Sequence, residues 1–135
     1  MSFQKSTITN NQETEIETKK KRVPVSSAST YKSNGQVYEK DCEIFSCMLN
    51  QTGINSNNNK FYEIQIIEIG NEFILFTHWG RVGSNGLRRE RSYEKADICI
   101  EEFKKKFFQK TTNRWKDRAN FQCVQRKYNM LEINY

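Results

Sequence analysis

The sequence predicts an α+β fold: a mainly antiparallel β-sheet packed against one long amphipathic α-helix, preceded by a disordered basic tail. Three observations predict it. Phe61 to Ile69 alternate, with Tyr62, Ile64 and Ile66 on one face and Glu63 and Gln65 on the other, the period of a strand with one buried face. Residues 73–91 hold two strand-like runs joined by Gly83-Ser84-Asn85-Gly86, a hairpin signal. Ala96, Cys99, Ile100, Phe103 and Phe107 recur at spacings of 3, 1, 3 and 4, the apolar stripe of a helix lying on a sheet.

Taken in order, residues 1–36 are Ser, Thr, Asn, Gln and Lys with few apolar side chains. Such a segment buries too little surface to offset the entropy of ordering, so a disordered tail is expected there and a folded domain over 37–135. Inside the tail, Lys19-Lys20-Lys21-Arg22-Val23-Pro24 is a compact basic cluster of the kind that serves nuclear import or adds non-specific attraction to phosphate. A nuclear location is therefore expected. Ile44 to Leu49 is apolar enough for a strand, and Thr52 to Asn59 is a polar, Asn-rich loop. After the alternating strand, Gly70-Asn71 marks a turn, Phe73 to Val82 a second long strand, and Leu87 to Arg91 a short basic one. Ser92 is placed to cap the helix N-terminus. That helix runs about four turns, its aromatic stripe forms core, and Lys104, Lys105 and Lys106 suit the negative end of its dipole. Residues 109–120 read as polar and irregular around a core Trp115, and Tyr128 to Ile133 as a closing strand.

The chain has 135 residues, with 22 Lys and Arg against 16 Asp and Glu, a net charge of +6. Residues 1–36 carry 6 basic and 3 acidic residues and residues 37–135 carry 16 and 13, so each part contributes +3. This moderate field favours nucleic acid or acidic surfaces. No stretch is apolar for long enough to span a bilayer, and the polar N-terminus has no signal-peptide core. No membrane contact is expected. Without a signal peptide, Asn50-Gln51-Thr52 has no access to glycosylation. Cys42, Cys47, Cys99 and Cys123 are expected as buried thiols in a reducing compartment. With a single histidine no zinc set forms, and no metal or cofactor is expected. No nucleophile–base pair or phosphate-cradling loop points to catalysis either.

The residues with most chemistry are Trp79-Gly80-Arg81, within Thr77-His78-Trp79-Gly80-Arg81-Val82-Gly83. Trp offers a flat stacking face, Gly lets another backbone approach closely, and Arg offers a planar fork that matches phosphate. Together they suit a nucleic-acid end, which exposes a stacking face that continuous duplex hides.

From about Val37 to Tyr135 the chain resembles the WGR domain of DNA-dependent poly(ADP-ribose) polymerases. The resemblance rests on five segments in order: Met48-Leu49-Asn50-Gln51-Thr52; Asn58-Asn59-Lys60-Phe61-Tyr62 with Ile64-Gln65; Trp79-Gly80-Arg81-Val82-Gly83; Phe103 to Phe107 with Lys110-Thr111, Asn113 and Trp115; and Lys127-Tyr128. It is strongest to the short, break-activated members, in which a basic disordered tail precedes the domain. The resemblance implies a non-catalytic module that binds ends or nicks in duplex DNA, with preference for a 5′-phosphate, and serves the DNA damage response. It also implies a regulatory or catalytic polymerase chain as partner. By position, Trp79 packs on the terminal sugar or base and Arg81 holds the 5′-phosphate. Asn59, Lys60 and Lys110 contact backbone at the break, Tyr128 lines the same surface, and Gly80 completes the signature. Arg126 stands where the family carries Gly. Arg88, Arg89 and Arg91 are candidates for added phosphate contacts, yet nothing in the family pattern picks them out. An ADP-ribosyltransferase domain needs about 200 further residues, and its His-Tyr-Glu set has no place here, since the one histidine is His78. The alternative is a protein-interaction module that docks a separate regulatory or catalytic chain in a nuclear complex.

Overall fold

The strands in chain order are β1 (Gln36–Val37), β2 (Glu39–Lys40), β3 (Glu43–Ile44), β4 (Ser46–Gln51), β5 (Lys60–Ile69), β6 (Glu72–Arg81), β7 (Leu87–Tyr93) and β8 (Asn129–Leu131). A computed structural model describes residues 22–52 and 59–131. Lys19-Lys20-Lys21 of the basic cluster, residues 53–58 of the polar loop, Asn58 of the family-like Asn58-Asn59 pair, and Ile133 of the expected closing strand lie outside the described residues. One antiparallel sheet has the order β7-β6-β5-β4-β8, with β1 paired to β5 next to β4, while β2 and β3 form a separate ribbon. Asp41 and Cys42, at φ of 53° and 67°, turn that ribbon with two left-handed residues, as a tight two-residue hairpin requires.

Among the described residues one α-helix, α1 (Ala96–Thr111), lies across the sheet, followed by a 3₁₀ helix at Trp115–Asn120. The α+β architecture expected from the alternation and the helical stripe is the one observed. Cys99, Ile100, Phe103 and Phe107 bury against Leu49, Tyr62, Ile64, Ile66 and Leu75. Trp115 is 2% exposed, with ring centroids 4.8 Å from Phe103 and 5.0 Å from Phe107. Ser92 does not cap α1. It belongs to β7, opposite Ile74, and its hydroxyl donates to Glu72 at 2.7 Å. Strand pairing continues through Tyr93 and claims this backbone, so α1 starts after Lys95, without a side-chain cap.

The segment after α1 is more regular than its polarity suggests. Asn113 is the reason: its Nδ2 donates to the carbonyls of Thr111 at 3.0 Å and Gln122 at 2.8 Å, and its Oδ1 accepts the Gln122 N–H at 2.9 Å. One buried amide thus holds both ends of the connection in place.

The opposite face of the sheet carries the largest difference from expectation. Gln65, on the polar face of the alternation, is 1% exposed. It accepts the Ser26 N–H at 3.0 Å and donates to the Pro24 carbonyl at 3.0 Å and the Ser46 hydroxyl at 3.1 Å. Residues 22–36, expected within the tail, form a strap across this face. Val25, Ala28 and Tyr31 pack on Ile67, Ile74 and Phe76, and Ser29 and Thr30 donate their hydroxyls to Glu90. A polar segment can order this way because the sheet supplies buried partners for its hydrogen bonds.

The expectation of buried thiols holds for two of the cysteines. Cys47 and Cys99 are buried, whereas Cys42 and Cys123 are exposed. Burial pushes the Cys99 thiol up to about 12 and pushes Cys47 up as well.

Candidate nucleic-acid interface

Register builds the site. β5 and β6 pair Lys60 with Arg81, Phe61 with Gly80 and Tyr62 with Trp79. Directly opposed residues share a face, so Lys60, Tyr62, Trp79 and Arg81 all lie on the helix side of the sheet. Trp79 stacks on Tyr62, with centroids 5.7 Å apart and planes 19° from parallel. Tyr128 meets the same ring edge-on at 5.8 Å. Lys110, in the last turn of α1, sets its Nζ 4.7 Å from the Tyr62 centroid, a cation–π contact. The Tyr128 N–H donates to the Lys110 carbonyl at 2.9 Å, which ties the C-terminal segment to the helix end.

Trp79, Lys110 and Tyr128 therefore meet on one ring, Tyr62, which the sequence assigned only to the core face, while Lys60 and Arg81 stand exposed on the same face of the sheet. Tyr62 was hidden because strand alternation marks it as buried and says nothing of what stacks on it. The pairing of two long strands about their turn is the signal that could have found it. Burial raises the pKa of Tyr62, with Thr77 and Arg89 acting in the opposite direction, and burial also raises that of Tyr128. Lys110 titrates below the ordinary lysine value. Desolvation is the first cause, and the nearby charges of Lys106 and Lys127 add to it. This corner is a partly dried cluster of cations beside a stack of aromatics.

The hairpin turn fixes the signature. Val82 donates to the Asn59 carbonyl at 2.9 Å, and Ser84 donates its N–H and hydroxyl to the Arg81 carbonyl at 3.0 and 2.7 Å. Asn59 thus sits beside the turn, while the side chains of Lys60 and Arg81 are exposed. Gly80 allows the turn to fold back over the strand: a Cβ there would lie 2.8 Å from Gly86 Cα. Gly86 has φ of 72°, and a Cβ on it would collide with the Trp79 carbonyl. His78 points to the other face, its Nδ1 3.6 Å from Glu63 and its Nε2 2.7 Å from the Asn85 carbonyl.

Arg126, in place of the family's Gly, adopts φ of 68° in the turn closed by Lys127 N–H to Val124 O at 3.0 Å. Arg126 itself takes the left-handed conformation, and Tyr128, two residues on, packs edge-on against Tyr62. Among the described residues no three or more His, Cys, Asp or Glu gather into a metal-holding group. No helix among them is long and apolar enough to cross a membrane.

Residues 45–122 match the WGR domain family. The chain is 43% identical over 107 residues to Poly [ADP-ribose] polymerase 2 of Zea mays, covering 77% of this chain and 16% of that protein. It is 42% identical over 91 residues to Protein mono-ADP-ribosyltransferase PARP3 of Mus musculus, covering 67% and 17%. It is 38% identical over 120 residues to Poly [ADP-ribose] polymerase 2 of Homo sapiens, covering 86% and 21%. The matched region spans between 16% and 21% of these relatives' own length.

Proposed function

The chain belongs to the WGR domain family, and from that premise we propose that it is a non-catalytic module that grips the ends or nicks of duplex DNA in a nuclear break response. Residues 37–135, with the strap before them, form the binding domain. The observation that carries the proposal is the corner where Trp79, Tyr62 and Tyr128 stack while Lys60, Arg81 and Lys110 present cations. Trp79 covers the terminal sugar or base, Arg81 takes the 5′-phosphate, and Asn59, Lys60 and Lys110 hold the adjoining backbone. Tyr128 lines the surface, and Gly80 keeps the turn close to the strand. Burial first, and then the charges of Lys106 and Lys127, disfavour the Lys110 cation, and an anion placed among the three lysines offsets that repulsion. Replacing Arg81 with Ala is expected to cost about 1–3 kcal/mol of affinity for a 5′-phosphorylated duplex end. Unchanged binding by fluorescence anisotropy sinks the assignment.

A second observation supports a further role. Phe108 is 45% exposed on the outer side of α1, with the Arg114 guanidinium 5.7 Å from its ring and Lys104, Lys105 and Lys127 lining the same groove. This apolar floor with a basic rim suits an acidic protein chain, such as a regulatory or catalytic polymerase chain. Partner binding that survives replacement of both Trp79 and Arg81 separates this role from DNA binding.

A further inference from the structure

The edge strand β7 sorts its arginines between the two faces of the sheet. Trp79 pairs with Leu87, Thr77 with Arg89 and Leu75 with Arg91, so Leu87, Arg89 and Arg91 share the face that carries Tyr62, Trp79 and Arg81. Arg88 falls on the strap face. There its Nε lies 3.7 Å from Glu90, and its guanidinium donates to the Ala28 carbonyl at 3.2 Å. Arg88 is thus engaged within the molecule. Arg89 and Arg91 are exposed, and neither forms an ion pair with a carboxylate among the described residues. The Arg91 guanidinium lies 5.3 Å from the Tyr93 ring centroid, which holds its stem against the sheet.

Three further features bear on what this strip can take. Among the described residues β7 is the outermost strand of the sheet, and none of their strands covers its free edge. Leu87 is 66% exposed directly beside Trp79, an apolar surface continuous with the stacking residue. Side chains two apart on a strand stand about 6.8 Å apart, comparable with the separation of neighbouring phosphates along one nucleic-acid strand. Guanidinium forks at that spacing suit successive phosphates.

We propose that Leu87, Arg89 and Arg91 form a second nucleic-acid contact, which holds the phosphodiester backbone leading away from the terminus gripped at Trp79 and Arg81. The proposal rests on the end-binding function above and adds a direction to it: the bound strand runs from the Trp79 corner along β7. Leu87 covers the sugar next to the terminus, and the two arginines neutralise the phosphates that follow. These contacts read backbone and not sequence.

The test uses the full chain, a 5′-phosphorylated duplex and a closed hairpin, with fluorescence anisotropy over a salt series and a thermal melt of each variant. The double variant Arg89→Gln, Arg91→Gln is expected to bind more weakly and to reduce the magnitude of the salt slope by about two, since each phosphate left without its arginine lowers it by about 0.9. Its preference for the open end should remain. Arg88→Gln removes the same kind of charge from the opposite face and is expected to leave affinity and slope unchanged. A double variant that matches the wild type overturns the proposal, as does an Arg88→Gln variant that weakens binding equally, because net charge then explains the loss. Failure of the end-binding function looks different. The wild type would bind open and closed ends equally and Arg81→Ala would change nothing, while the double variant still lowered the slope, leaving the strip standing as a backbone contact. A wild type that ignores DNA but binds polyglutamate through Arg89 and Arg91 overturns the proposal in favour of an acidic protein partner.

Discussion

The two faces of this sheet are closed by different means. On one, α1 lays Cys99, Ile100, Phe103 and Phe107 on the strands, and closure comes from apolar area and aromatic packing. On the other, residues 22–36 cover a smaller apolar patch, and hydrogen bonds to Gln65 and Glu90 hold them there. The helix face stops short at the Trp79 end and leaves an aromatic corner flanked by cations. The strap face uses its charges internally, with Arg88 against Glu90. The proposed function falls where closure is incomplete.

The contrast breaks most severely at Phe103, which is fully buried. Phe103→Ala is expected to cost about 3–5 kcal/mol, read by urea denaturation. On the strap face, Gln65→Ala leaves the Ser26 N–H and the Pro24 carbonyl without their partner. It is expected to cost about 1–3 kcal/mol and to speed proteolysis within residues 22–36. Equal losses at the two positions would erase the distinction between the faces, and no loss at Gln65 would show the strap to be unattached.

These expectations also mark what was legible in the sequence. The helix face was legible because the spacing of Phe103 and Phe107 and the alternation of Tyr62, Ile64 and Ile66 are periodic. The strap was not, because Ser26, Ser29 and Thr30 carry no hydrophobic period and their order depends on Gln65 and Glu90, 39 and 61 residues away for Ser26 and Ser29. Ser92 misled for a related reason: capping chemistry is local, and a strand partner outcompeted it. Trp79, Arg81, Lys60 and Lys110 were named from motif likeness. That Tyr62 lies beneath Trp79 and Lys110 emerges only from cross-strand register and from where the helix ends.

A smaller effect is expected at Arg126. Its left-handed φ of 68° strains a residue with a Cβ, so Arg126→Gly should raise stability by about 1 kcal/mol and leave the Tyr128 contact intact. A drop in stability would mean that the arginine side chain contributes more than its backbone strain costs.

The smallest effect on stability belongs to Lys110. Its pKa in the folded chain lies below the unfolded value, so between the two the unfolded chain holds more protons and stability rises with pH. The penalty is present in full below the folded value and fades as pH climbs toward 10.5. Lys110→Gln should flatten that alkaline rise in thermal melts while weakening DNA binding at neutral pH. A variant that keeps full affinity would remove Lys110 from the interface.

The most direct test is the affinity of the wild-type chain for a 5′-phosphorylated open duplex end against a closed hairpin of the same sequence, by anisotropy at two salt concentrations. Tighter binding to the open end at both, lost on Arg81→Ala, is the expected result. Equal affinity for the two substrates contradicts the assignment of the Trp79 corner as a reader of DNA ends.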